Sequence, residues 1–105
     1  MEIDSGLIAK IKNNIRIKHT ALDEDIADTI RAALNDLSVC GVVVPAAATP
    51  GEHDPLILNA IKLFCKVEYT DDSGKAAEFQ RRYDALKACL MMSEKYRERE
   101  AAADE

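Results

Sequence analysis

The stretch from Asp54 to Leu90 constrains the fold more than any other, because its spacing is met only by two consecutive helices folded against each other. Asp54 is a good N-cap, and Pro55 suits the first helical position, where its missing N–H would be an orphan in any case. Apolar residues follow at Ile57, Ala60, Ile61 and Phe64, with a second row at Leu56, Leu63 and Val67. Only Asn59, Lys62 and Lys66 remain as a polar stripe, so this helix, over residues 54–69, is expected to be covered on most of its circumference. The turn Thr70-Asp71-Asp72-Ser73-Gly74 then starts another helix over 74–94. There Phe79, Tyr83, Leu86 and Leu90 recur at four-three-four spacing, while Glu78, Arg81, Arg82, Asp84 and Lys87 fall on other faces. The pair is predicted to form an antiparallel hairpin with Ile57, Ile61 and Phe64 among its least exposed side chains.

Upstream, Leu7, Ile8, Ile11 and Ile15 give a helix over 5–16, capped by Asp4 or Ser5. Lys10, Lys12, Arg16 and Lys18 lie close together with no acid among them, either as a solvated face or as a patch for an acidic partner. Thr20-Ala21-Leu22-Asp23 has the capping-box form, and Glu24 and Asp25 add negative charge where the helix dipole favours it. From there Leu22, Ile26, Ile30, Ala33, Leu37 and Cys40 predict a helix over 21–40, with Gly41 placed to end it in a left-handed conformation. Residues 42–53 break the pattern. A β-branched triplet, Val42 to Val44, is followed by Pro45, three alanines, Thr49, Pro50 and Gly51, a mixture that favours extended or turning backbone. Burial of the triplet against its own domain and burial against another subunit both remain open. The expected architecture is an all-α domain over residues 1–95, a small bundle of about four helices with a long loop between the second and third. A charged, fraying tail is expected over 96–105.

A chain of 105 residues with 14 basic and 19 acidic side chains carries a formal charge of −5, which argues against general nucleic-acid binding. No apolar run approaches the roughly 20 residues needed to span a bilayer, and Met1-Glu2-Ile3-Asp4-Ser5 lacks the pattern of a signal peptide, so synthesis in a cytoplasm without membrane insertion is expected. Cys40, Cys65 and Cys89 are far apart and read as free, reduced, buried, small apolar residues rather than as zinc or redox ligands. Ser73-Gly74-Lys75 lacks the earlier glycine and the preceding strand of a phosphate-binding loop, and reads as a helix cap. His19 and His53 have no second ligand at helical spacing. Asp23, Asp25 and Asp28 lack the glycine and the distal glutamate of a calcium loop. With no serine in a nucleophile elbow either, neither catalysis nor a metal nor a cofactor is expected.

The order of features carries a resemblance. A short helix ends in Asn14-Ile15-Arg16-Ile17, an acidic helix start follows at Leu22-Asp23-Glu24-Asp25-Ile26, and after a long loop Asp54-Pro55-Leu56-Ile57 opens the central helix. This order resembles that of the head-tail connector, or head-completion adaptor, proteins of tailed phages and prophages. Ala77-Glu78-Phe79-Gln80-Arg81-Arg82-Tyr83-Asp84-Ala85-Leu86-Lys87 looks like the branch found in phages of Gram-positive hosts. The resemblance implies a structural virion protein at the head-tail junction, made in the host cytoplasm. It would form a homo-oligomeric ring under the portal protein and meet the next head-completion or tail protein, with DNA passing through the ring but not bound by sequence. A small helical DNA-binding or regulatory adaptor is the competing class, and the acids Asp23, Glu24, Asp25, Asp28 and Asp36 on the second helix speak against it.

A closed ring needs two different patches that complement each other head to tail. The expected interface set is Val42, Val43 and Val44 for apolar burial, with Lys10, Lys12, Arg16 and Lys18 facing Asp23, Asp25 and Asp28 or the charged end beyond Met92.

Overall fold

The structure is a computed structural model of the chain, and it describes residues 5–17, 21–43, 54–93 and 96. Four helices follow one another: α1 (Ser5–Asn14), α2 (Asp23–Val39), α3 (Pro55–Tyr69) and α4 (Ser73–Met92). The fold is all-α, as the spacing of apolar residues predicts.

α3 starts where its residues dictate. The Asp54 carboxylate accepts from the backbone N–H groups of Leu56 at 3.0 Å and Ile57 at 3.3 Å, with Pro55 at the first helical position. α4 starts in the same way, with Asp72 accepting from Lys75 N–H at 3.0 Å, so the Ser-Gly-Lys turn is a helix cap. Only residues 70–72 separate the two helices, and so short a connection forces them antiparallel. Ile57, Ala60, Ile61 and Cys65 of α3 are buried together with Tyr83 and Leu90 of α4. Ile26, Ile30, Ala33, Leu34 and Leu37 of α2 and Leu7 and Ile11 of α1 complete one continuous core. A fully buried Ile or Leu contributes ~1.5–3 kcal/mol, so these side chains supply most of the driving force.

α1 and α2 stop by the same device. At the end of α2, Gly41 N–H donates to Ser38 C=O at 3.0 Å and Val42 N–H to Leu37 C=O at 2.9 Å, with Gly41 at φ 87°. At the end of α1, Arg16 N–H donates to Asn13 C=O at 3.4 Å and Ile17 N–H to Lys12 C=O at 2.9 Å, with Arg16 at φ 62°. Both are Schellman motifs, in which a left-handed residue lets the chain double back and satisfy carbonyls that the helix would leave unpaired. The residue after it turns inward: Val42 is 2% exposed, and Ile17 packs against the core. Glycine occupies the left-handed position of α2 without strain, whereas Arg16 holds it with a side chain. Gly41→Ala is expected to cost about 1 kcal/mol in urea unfolding, although nothing lies within 4 Å of a methyl built there, because the penalty is conformational.

Four expectations are corrected. α1 ends at Asn14 rather than Arg16, since the Schellman turn takes the next residues. α2 begins at Asp23 rather than Ala21: its N-cap is Leu22, which makes no side-chain cap and packs partly on the core, and Thr20 lies outside the described residues. Phe64 is only partly buried, and the fully buried aromatic is Tyr83, against which the Phe64 ring stands edge-on with centroids 5.4 Å apart. Leu56 is exposed, so α3 is less enclosed at its start than its two apolar rows suggest.

Candidate interaction surfaces

Polar contacts between helices fix which helix ends lie together. Thr29, early in α2, is hydrogen-bonded to the hydroxyl of Tyr69 at the end of α3 at 3.2 Å. Asp36, late in α2, accepts from the Tyr83 hydroxyl at 2.7 Å and from Lys87 Nζ at 3.1 Å, so α2 and α4 run in the same direction. Beyond α4, Tyr96 folds back. Its hydroxyl donates to both oxygens of Asp54, at 2.7 and 2.8 Å, and its C=O accepts from Val43 N–H. One end of the bundle therefore gathers the end of α2, the start of α3 and the end of α4. The opposite end gathers the start of α2, the end of α3, the start of α4 and, through Lys12, the end of α1.

The first of these ends is apolar. Among the described residues the exposed large hydrophobic side chains are Val39, Val43, Leu56, Met91 and Met92, and all five belong to it, with Val39 77% and Met92 80% exposed. Isolated apolar side chains on a surface are ordinary, whereas five gathered at one end of a small domain are not.

The opposite end is charged. Lys12 pairs with Asp23 at 2.7 Å, tying α1 to the start of α2. Beside this pair, Asn14, Ile15, Arg16, Lys66, Tyr69, Thr70, Asp71, Lys75 and Phe79 line a cleft of about 270 Å³. Lys66 Nζ lies 5.1 Å from the centre of the Phe79 ring. No ion pair joins Arg16, Lys66 or Lys75 to a described residue. Among the described residues there is no group of three or more His, Cys, Asp or Glu able to hold a metal ion. No helix among them is long and apolar enough to cross a membrane.

The cysteines divide by environment. Cys65 is buried and desolvation, then the nearby Glu68, pushes its thiol up to about 12, whereas Cys40 is half-buried and Cys89 exposed. All three are free. The expectation that they are all buried is corrected at Cys89, which lies off the row defined by Tyr83 and Leu90. A thiol reagent added to native protein at neutral pH is expected to modify Cys89 fast, Cys40 slowly and Cys65 only after unfolding, as followed by mass spectrometry of the labelled peptides. Fast modification of Cys65 would show that α3 is not seated in the core.

A sequence profile described as phage connector protein matches residues 7–97, nearly the whole chain and all four helices. The chain belongs to the phage connector family. No curated protein and no solved structure matches it. The family is a structural one, which makes this connector a component that joins parts of a virion.

The connector's predicted interface residues have different environments. Val42 is part of its own core, Val43 is exposed at the apolar end, and Val44, with the rest of the loop over 44–53 including His53, lies outside the described residues. Lys12 and Asp23 neutralise each other within the chain. Asp28 pairs with Arg31 at 2.7 Å one turn away, and Asp25 and Lys10 are exposed. Arg16 joins the cleft, while Lys18 and His19 lie outside the described residues. Sequence reasoning missed Val39, Met91 and Met92 as a surface, and Lys66 and Lys75 as companions of Arg16, because only the antiparallel hairpin brings them together. Tyr96, assigned to the tail, is 3% exposed and completes the apolar end.

Proposed function

We propose that this connector is the repeating subunit of a ring that sits beneath the portal vertex of the phage head and joins it to the tail. The observation that carries the reading is the collection of Val39, Val43, Leu56, Met91 and Met92 at one end, while the other large apolar side chains among the described residues are largely packed inside. Such an end supplies the burial that holds subunits together, while the charged end differs from it, as a head-to-tail contact requires. Membership of the connector family supports the same reading. Portal protein and the next head-completion or tail protein are the partners, and DNA passes through the ring without being read. The residues up to Tyr96, which packs on the core, act as one domain, and those after it reach towards neighbours. A single interface of this size is too weak to close a ring in dilute solution, so a monomer or small oligomer alone and a ring at high concentration or on a portal are expected. Native mass measurement of the free protein, beside negative-stain images of it mixed with portal protein, tests this. A protein that stays monomeric at all concentrations and leaves portal particles unchanged would overturn it.

A further inference from the structure

We infer that the cleft between Arg16, Lys66 and Lys75 receives the acidic segment over residues 100–105 of a neighbouring copy of this chain. The cleft holds three cations and one acid, Asp71, and is lined also by Ile15, Tyr69 and Phe79. The segment Glu100-Ala101-Ala102-Ala103-Asp104-Glu105 brings three carboxylates, one of them set apart from the other two by three alanines small enough to enter a cleft with apolar walls. Cations set around a concave, partly apolar site hold such a peptide at both its charges and its methyl groups.

A peptide suits the site better than a nucleic-acid backbone. The cations surround one short cleft instead of forming a stripe, in a chain whose net charge is −5. Arg16 adds a further sign: it holds a left-handed position that glycine fits without strain, and its side chain lies at the cleft.

Geometry selects a neighbour's segment over the chain's own. Tyr96 is fastened to Asp54 at the apolar end, and Lys66 and Thr70 stand twelve and sixteen residues further along α3. At a rise of 1.5 Å per residue, that separates Tyr96 from the cleft by roughly 18–24 Å. Glu100, four residues past Tyr96, spans at most about 14 Å. The chain's own segment would have to run fully extended to bring all three acids there, whereas one leaving the apolar end of an adjacent copy is free to do so.

The inference rests on this chain being a self-assembling subunit, yet its test is independent of whether rings close. A fluorescent peptide of residues 98–105 is titrated into the full chain and followed by anisotropy. Saturable binding is expected, weakened at least tenfold by Arg16→Glu with Lys75→Glu. A peptide with lysine in place of Glu100, Asp104 and Glu105 is expected to bind that double variant and not the parent. Arg16→Gly is expected to raise the melting temperature while weakening the peptide. Undetectable binding, equal binding to parent and double variant, no recovery with the lysine peptide, or displacement by a short DNA duplex at equal concentration would each overturn the assignment. Failure of the subunit reading would appear elsewhere, as a chain that never associates with itself or with portal protein.

Discussion

Tyr83→Ala is expected to cost about 3–5 kcal/mol, the largest effect of any single truncation in this chain. Tyr83 is 1% exposed, its ring packs edge-on against Phe64, and Lys87 Nζ lies 5.3 Å from the ring centre. Its hydroxyl is the main link between α4 and Asp36 on α2. Truncation empties a ring-sized volume at the junction of three helices and removes a donor from a carboxylate. The loss is a large share of the ~5–15 kcal/mol that stabilises a small domain. Tyr83→Phe separates the two contributions, because it keeps the ring and removes only the hydrogen bond, at about 1–2 kcal/mol. Urea unfolding of parent and both variants measures the difference. If Tyr83→Ala unfolds at the parent's midpoint, α4 does not pack as described.

The same cluster sets how stability depends on pH. The Tyr83 hydroxyl, and after it Lys87, holds the Asp36 carboxyl below its ordinary 3.8 despite the opposing effect of burial. A group lowered in the folded state contributes stability above its unfolded value, and that stability is lost as pH falls through the folded one. Burial, then Asp36, raises Tyr83 above its ordinary 10.0, and the hydrogen bond to Asp36 raises Lys87 above 10.5. Their contributions are complete below those values and disappear as pH rises beyond them. A plateau from about pH 4 to 10 is expected from this cluster, with Asp36→Asn flattening the acid limb.

The second large effect belongs to assembly. Replacing Val39, Val43 and Met92 together with serine is expected to leave helix content and unfolding midpoint close to the parent's, since all three are exposed. Each buries about 1–2 kcal/mol of apolar surface if the end is covered by a neighbour, so association is expected to weaken by roughly 100-fold or more. Sedimentation over a range of concentrations, with and without portal protein, reads this directly. Val42→Ser is the informative contrast: Val42 packs inside, so it is expected to destabilise the fold itself. Rings that form as readily in the triple variant would remove the apolar end from the interface.

Much of the fold is legible in the sequence because its signals are local. The caps at Asp54 and Asp72, the stop at Gly41 and the row through Tyr83 and Leu90 each depend on residues within a few turns of one another. Local reading also contains the answer for Val42, the inward-turned residue that follows a left-handed glycine, but not for Val43. The surfaces were hidden for the opposite reason. Arg16 and Lys66 are fifty residues apart and Asp54 and Tyr96 are 42 apart, and only tertiary packing makes neighbours of them. Asp36 illustrates the limit: by composition it is one more acid on a solvated helix, while in the fold it ties α2 to α4. Leu22 illustrates another, since a side chain that packs partly on the core stands at the N-cap of α2 and offers no cap of its own.

The attachment of Tyr96 to Asp54 decides where a pull on the end of the chain is felt. Tension on the residues after it does not peel α4 from its last turn, because the strain passes first into the tyrosine and from there into the carboxylate that caps α3. The hydroxyl proton shared between both carboxylate oxygens would have to leave them before the load moved on, and that bond sits where α3 begins, at the apolar end of the bundle. A partner drawing on this tail would therefore haul the whole bundle as a rigid block, and Tyr96→Phe would leave the same tail to unzip from its end under a smaller force.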